Sequence, residues 1–201
     1  WAARVHEHTG KDVLILAPLA VAAQTADEGA ALGVNVITCR EQADVRTGVN
    51  ITNYERLHRF TPSHFGAVVP DESSCIKHHD TRTLKMLLEA FADTTFKLCA
   101  TATPAPNDWT ELGTHAEFLG ICTRTEMLSE FFVHDGGETQ SWRLKGHAQT
   151  EFWRWVSTWA ALVRNPSDLG FDGSAYSVCF VPCLFWQMAI SLCSCFRTSL
   201  I

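Results

Sequence analysis

Between residues 13 and 101 short apolar runs alternate with alanine-rich or amphipathic stretches, and that alternation constrains the fold more than any other feature of the chain. Val13-Leu14-Ile15-Leu16-Ala17 carries no charge and lies between Gly10-Lys11-Asp12 and Pro18, the pattern of a strand buried on both faces. The stretch from Val21 to Leu32 reads as a helix stopped by Gly33. Val34-Asn35-Val36-Ile37-Thr38 reads as a second strand, and Asn50-Ile51-Thr52-Asn53 as a short third one running into a helix from Tyr54 to Phe60. A fourth strand, Phe65-Gly66-Ala67-Val68-Val69, leads to Asp71-Glu72. Thr81 to Phe91 is amphipathic, with Leu84, Leu87, Leu88 and Phe91 on one face. A fifth strand, Phe96 to Thr101, is closed by Pro104 and Pro106. Strands separated by helices predict an α/β fold with an open, mostly parallel sheet flanked by helices.

At about 150 residues per domain, 201 residues predict one domain with room for an appendage, and a chain of this length buries roughly 70% of its extended surface. With 46% hydrophobic and 19% charged residues, disorder of the whole chain is excluded. The net charge of -6 excludes an overall positive field drawing the chain onto a phosphate backbone, so any contact with nucleic acid needs a local patch or a partner domain. Cys39, Cys75, Cys99 and Cys122 are scattered and four more crowd into 179–195, with no C-x-x-C pair, which predicts free thiols in a reducing compartment.

Beyond residue 107 the pattern turns helical: Asp108 caps a helix through Leu119, Gly136-Gly137 forms a loop, and a longer helix runs from Ala148 to Arg164. The rings of that helix, Phe152, Trp153, Trp155 and Trp159, are expected in the core and not as a base-stacking platform. Asn165 to Gly170 reads as a turn or linker. Residues 173–196 carry no charge, but Pro182, Gln187 and several Ser and Cys make a poor spanning helix, so no membrane is expected. The division expected is therefore residues 1–170 as the domain with its helical C-terminal part, and 171–201 as a linker with an atypical apolar, Cys-rich tail outside the functional core. The chain opens on Trp1-Ala2-Ala3-Arg4-Val5-His6, which reads as mid-helix and suggests a fragment without a signal peptide.

Asp71-Glu72 sits where an open α/β sheet presents ligand-binding groups, at the carboxyl end of a strand. In a nucleotide hydrolase one carboxylate holds the Mg²⁺ shell, often through water, and the next orients the attacking water. Asp71-Glu72-Ser73-Ser74-Cys75-Ile76-Lys77 is followed about thirty residues later by Leu98-Cys99-Ala100-Thr101-Ala102-Thr103-Pro104, and preceded by Leu16-Ala17-Pro18-Leu19 and Ile51-Thr52-Asn53-Tyr54-Glu55. In that order these segments resemble motifs II, III, Ia and Ib of superfamily 2 helicases of the DEAD/DEAH type. They are most similar to the Snf2-like translocases, phage and bacterial forms included, over residues 1 to 176. The resemblance implies a RecA-like fold, the P-loop NTPase fold truncated at its N-terminus, with ATP and Mg²⁺ as cofactors and DNA as partner. It implies that Asp71 is the Mg²⁺-associated catalytic carboxylate and Glu72 the water-orienting base, both at the nucleotide site. Thr101 and Thr103 would couple that site to nucleic acid, and Pro18, Leu19, Thr52 and Asn53 would lie along one DNA strand. Lys77 matches the basic residue common after motif II.

Three departures accompany the resemblance. Gly10-Lys11 is followed by Asp12 and precedes a strand, so these residues contain no Gly-rich phosphate loop ending in Lys and Ser or Thr, and the loop would lie upstream of Trp1. Pro70 stands where an aliphatic strand residue is usual and removes a backbone donor next to Asp71. The second RecA-like domain with its arginine finger is missing. The chain alone is therefore expected to be inactive and to bind DNA weakly, in the cytoplasm of a bacterial or phage-infected cell. A catalytically silent nucleic-acid or protein interaction module with the same fold is the alternative. His78-His79-Asp80 lacks metal-ligand spacing, and no G-x-S-x-G elbow occurs.

Overall fold

The computed structural model describes residues 1–134, 142–163, 170 and 187–192. Helix α1 (Ala2–Thr9) precedes strand β1 (Val13–Ala17), followed by α2 (Ala22–Ala31), β2 (Val36–Thr38), β3 (Val49–Asn53), β4 (Ala67–Pro70), α3 (Arg82–Ala90) and β5 (Phe96–Thr101). The C-terminal part contains α4 (Leu112–Leu119), α5 (Arg124–Phe131), the hairpin strands β6 (Phe132–His134) and β7 (Trp142–Leu144), α6 (Gln149–Val156), β8 (Ala160–Val163) and β9 (Gln187–Leu192). The main sheet has the order β2-β3-β1-β4-β5-β9-β8, and its first five strands are all parallel. The fold is α/β, with a mostly parallel sheet flanked by helices of the RecA-like or Rossmann type.

The uncharged run of β1 follows from burial on two sides. Leu14 and Leu16 belong to a core shared with α3, α4, α5 and α6, whereas Val13, Ile15 and Ala17 belong to a second core with Val5 of α1 and Ala22 of α2. Alternate residues of one strand thus enter opposite layers, and neither face tolerates charge. Helix α2 ends as its sequence suggests, with Gly33 left-handed at φ 75. Val34 is consumed there, its N–H bonding Gly29 O at 2.8 Å, so β2 begins two residues later than the apolar run. Pro70 is accommodated inside the sheet: the β4–β5 ladder pairs Ala67 with Phe96 and Val68 with Lys97, then resumes only at Asp71 and Ala100. The gap falls at the residue without an N–H.

Several expectations are corrected. Residues 54–59 form a 3₁₀ helix and not an α-helix, with Asn53 Oδ1 accepting from Arg56 N at 3.2 Å. The helix from Asp108 opens as a 3₁₀ turn over Trp109–Glu111, capped by Asp108 through Thr110 N at 2.7 Å, before α4 begins. The helix expected to reach Arg164 stops at Val156. Ser157 and Thr158 turn their hydroxyls onto the carbonyls of Arg154 and Trp155, both at 2.7 Å, and Ala160–Val163 then pairs antiparallel with β9. Among the four rings Phe152 and Trp159 are core and Trp155 is half-buried, but Trp153 is 37% exposed and meets Trp109 edge-on at 4.8 Å. Six residues of the apolar tail, Gln187–Leu192, pair with β5 and β8, so this part of the tail belongs to the sheet. Gly136-Gly137, residues 165–169 and the remaining tail lie outside the described residues. Among the described residues no helix is long and apolar enough to cross a membrane, and Cys39, Cys75, Cys99 and Cys122 are free thiols.

Candidate functional site

After β1 the chain moves to one side to build β2 and β3, then returns past β1 to add β4 and β5 on the other. The strand order therefore reverses between β1 and β4, and the crevice beyond the carboxyl ends at such a reversal is where open α/β sheets bind ligands. Asp71 stands there. Its N–H bonds Leu16 O at 2.7 Å, and its own carbonyl accepts the Tyr54 hydroxyl at 2.7 Å, so β1, the end of β3 and the end of β4 are tied together at this residue. Asp71 Oδ1 accepts Glu72 N at 3.0 Å, and partial burial pushes the carboxyl above its ordinary range. Glu72 is exposed and left-handed at φ 50, ψ 48, and it is the single non-glycine residue with positive φ among those described. A β-carbon in that region costs about 1–2 kcal/mol.

The bridge between Asp71 and Ala100 brings the next strand end alongside. Thr101 is buried and its Oγ1 accepts Thr103 N at 3.1 Å, which bends the chain out of β5 toward Pro104. At the end of β1, Pro18 O receives Val21 N at 2.9 Å, and Leu19 is 65% exposed. Thr52 and Asn53 lie at the end of β3 but are both buried. Asn53 serves as a cap, and Thr52 Oγ1 has no hydrogen-bond partner. Asp71, Glu72, Thr101, Thr103, Pro18 and Leu19 thus gather at one edge of the sheet, with Leu19 presented to solvent and Thr52 turned inward. Lys77 ends the 3₁₀ turn Ser73–Ile76 that follows Glu72, and its carbonyl is 3.4 Å from Thr114 Oγ1.

Sequence reasoning missed a buried polar cluster under this turn. Ser73 and His115 are both fully buried, with Ser73 Oγ 3.2 Å from His115 Nε2. His115 Nδ1 lies 3.4 Å from Glu111 O, and burial lowers the imidazole pKa to about 4, so the ring is neutral. Burial drives the Cys99 thiol of β5 far up. Burial raises the Cys75 thiol as well. The Glu111 carboxylate accepts Asn107 N at 3.3 Å and Asn107 Nδ2 at 2.9 Å, fixing the loop that leaves Thr103. The available signal was Thr114-His115, two polar residues inside the apolar segment Leu112–Leu119.

Among the described residues no three His, Cys, Asp or Glu side chains converge to hold a metal ion. Mg²⁺ does not need such a cage, since it keeps several waters and takes one or two carboxylates plus substrate phosphates, and the half-buried Asp71 carboxylate at the crevice fits that mode. No Gly-rich loop ending in Lys and Ser or Thr, the usual backbone cradle for a triphosphate, occurs in this sequence. A separate cleft of about 540 Å³ lies past β5, between Ala105–Trp109 and β7, and contains neither carboxylate. The chain matches no protein-family model, and no curated protein matches it.

Proposed function

We propose that this chain is the carboxylate-bearing part of the first RecA-like domain of a Snf2-like, ATP-dependent DNA helicase or translocase, acting in the cytoplasm of a bacterial or phage-infected cell. The observation that carries the reading is the Asp71-Glu72 pair at the strand-order reversal, beside the Thr101–Thr103 bend. Asp71 would hold Mg²⁺ through water, and Mg²⁺ supplies charge neutralisation at the phosphoryl oxygens. Glu72, exposed and carrying a free carboxylate, orients the attacking water and takes its proton. Thr101 and Thr103 would couple this edge to nucleic acid, and Pro18 and Leu19 at the end of β1 would meet a DNA strand, whereas Thr52 and Asn53, both buried, would act only by shaping the end of β3. A second RecA-like domain completes the cleft. That these residues contain no Gly-rich phosphate loop favours one other reading, a silent nucleic-acid or protein interaction module that keeps the fold.

The test is ATP hydrolysis, with and without DNA, by the chain alone and by the chain joined to an upstream Gly-rich loop and a downstream RecA-like domain. The chain alone is expected to show none. The completed protein is expected to show DNA-stimulated turnover that Glu72→Gln removes by two or more orders of magnitude, on the order of what loss of a general base costs. In the completed protein Thr101→Ala is expected to weaken DNA stimulation more than the basal rate. Parental turnover by Glu72→Gln refutes the reading.

A further inference from the structure

We propose that His115 is a positioning residue for the Asp71-Glu72 turn, acting through the Ser73 hydroxyl, so that α4 holds Glu72 in its left-handed conformation; the inference rests on the reading above. Ser73 follows Glu72 directly and is fully buried, so its side chain is the first fixed point after the strained residue. Glu111 O can only accept, so the 3.4 Å contact assigns the imidazole proton to Nδ1 and leaves Nε2 to accept from the Ser73 hydroxyl at 3.2 Å. The result is a directional pair of contacts, Ser73 to His115 to Glu111 O.

The next residue back on α4 repeats the tie at the far end of the turn. Thr114 Oγ1 lies 3.4 Å from Lys77 O as well as 2.9 Å from Glu111 O. Successive residues of α4 thus lie against both ends of the segment Ser73–Lys77, with the single Thr114 hydroxyl proton directed mainly to the nearer Glu111 O. A left-handed glutamate persists only where its surroundings over-determine it. Toward the chain start Glu72 has the Asp71 carboxylate on its N–H, and toward the chain end it has this anchor. Remove the anchor and φ of Glu72 is free to return to negative values, which swings the carboxylate away from the water it must orient. Misplacement of a catalytic group by about 1 Å costs on the order of a hundredfold in rate.

Two measurements test this. In the chain itself, nitrogen NMR of the histidine rings should show His115 as the neutral Nδ1–H tautomer, with its Nε2 resonance shifted by Ser73→Ala; an Nε2–H tautomer, or an Nε2 resonance indifferent to Ser73→Ala, overturns the contact. In the ATP-hydrolysing protein that carries this domain, His115→Phe should lower kcat about tenfold or more with KM for ATP nearly unchanged, and His115→Gln, which restores an acceptor, should recover most of it. Ser73→Ala, too small a change to threaten folding, should lower kcat in the same direction. If Glu72→Gln abolishes turnover while His115→Phe and Ser73→Ala leave kcat at the parental value, the positioning role is refuted and the hydrolase reading stands. If Glu72→Gln turns over normally, the reading itself falls, and the ring resonances still decide whether the contact exists.

Discussion

Replacing His115 with Gln should change the acid stability of the chain more than its stability at neutral pH. In the folded chain burial holds the imidazole neutral down to about pH 4, whereas the unfolded chain protonates it near 6.5. Between those values the unfolded state binds the extra proton, so acid draws the equilibrium toward unfolding. Stability from this group is complete above 6.5 and drains as pH falls toward 4, with a limiting slope of about 1.4 kcal/mol per pH unit. From neutral pH to about 4.5 the loss amounts to about 2 kcal/mol, a large part of the 5–15 kcal/mol typical of a domain. His115→Gln has no such proton to take up. At neutral pH it should be less stable than the parent by about 1–2 kcal/mol, the cost of a poorly replaced buried hydrogen-bonding ring. Near pH 4.5 the two should be equal, or the variant ahead. Asp71, raised by burial, works in the opposite sense, disfavouring the fold when ionised and losing that penalty in acid. It is present in both proteins and cancels in the difference. Urea unfolding at three pH values, with m unchanged between parent and variant, supplies the comparison. Parallel stability curves would refute the argument, because they would mean that the folded chain protonates His115 as readily as the unfolded chain does.

Four other perturbations follow from named contacts. Asp12 staples the opposite edge of the sheet, accepting Gly48 N at 2.8 Å and pairing with His64 Nε2 at 2.9 Å, so Asp12→Ala should cost about 1–3 kcal/mol in denaturant unfolding. Glu72→Gly should raise stability by about 1 kcal/mol over Glu72→Ala, since glycine alone is at ease at φ 50, and equal midpoints would deny the strain. Truncation after Tyr176 removes β9 and leaves the outer edge of β5 unpaired, so the melting temperature should drop by several degrees, whereas an unchanged value would show that the parallel strands stand without it. The chain alone, at net charge -6, should bind oligonucleotides weakly and lose them as salt rises; sub-micromolar binding in moderate salt, followed by fluorescence anisotropy, would contradict this.

What the sequence made legible is what periodicity and punctuation encode. The parallel strands could be read because burial on both faces forbids charge along them, and the position of Asp71 and Glu72 could be read because an apolar run must end where the sheet does. Ala160–Val163 was misread because four apolar residues after an aromatic-rich helix carry no period of their own, and their strand partner lies some thirty residues further on. The support of the site was hidden for a different reason. Ser73 and His115 are 42 residues apart and meet through a single side-chain contact, which no local pattern can announce. The left-handed backbone of Glu72 is equally silent, since glutamate is not a residue that advertises positive φ. Both features belong to the same few ångströms beneath the carboxylates. There α4 must place a histidine inside its apolar face at a cost in burial, and the turn must place a glutamate in a conformation it disfavours. Local preference is violated at Glu72 and His115, with Pro70 of β4 a third exception beside them, and such concentrated violation is expected where side-chain placement matters more than stability. That makes Glu72 and His115 the pair on which mutation should separate folding from function.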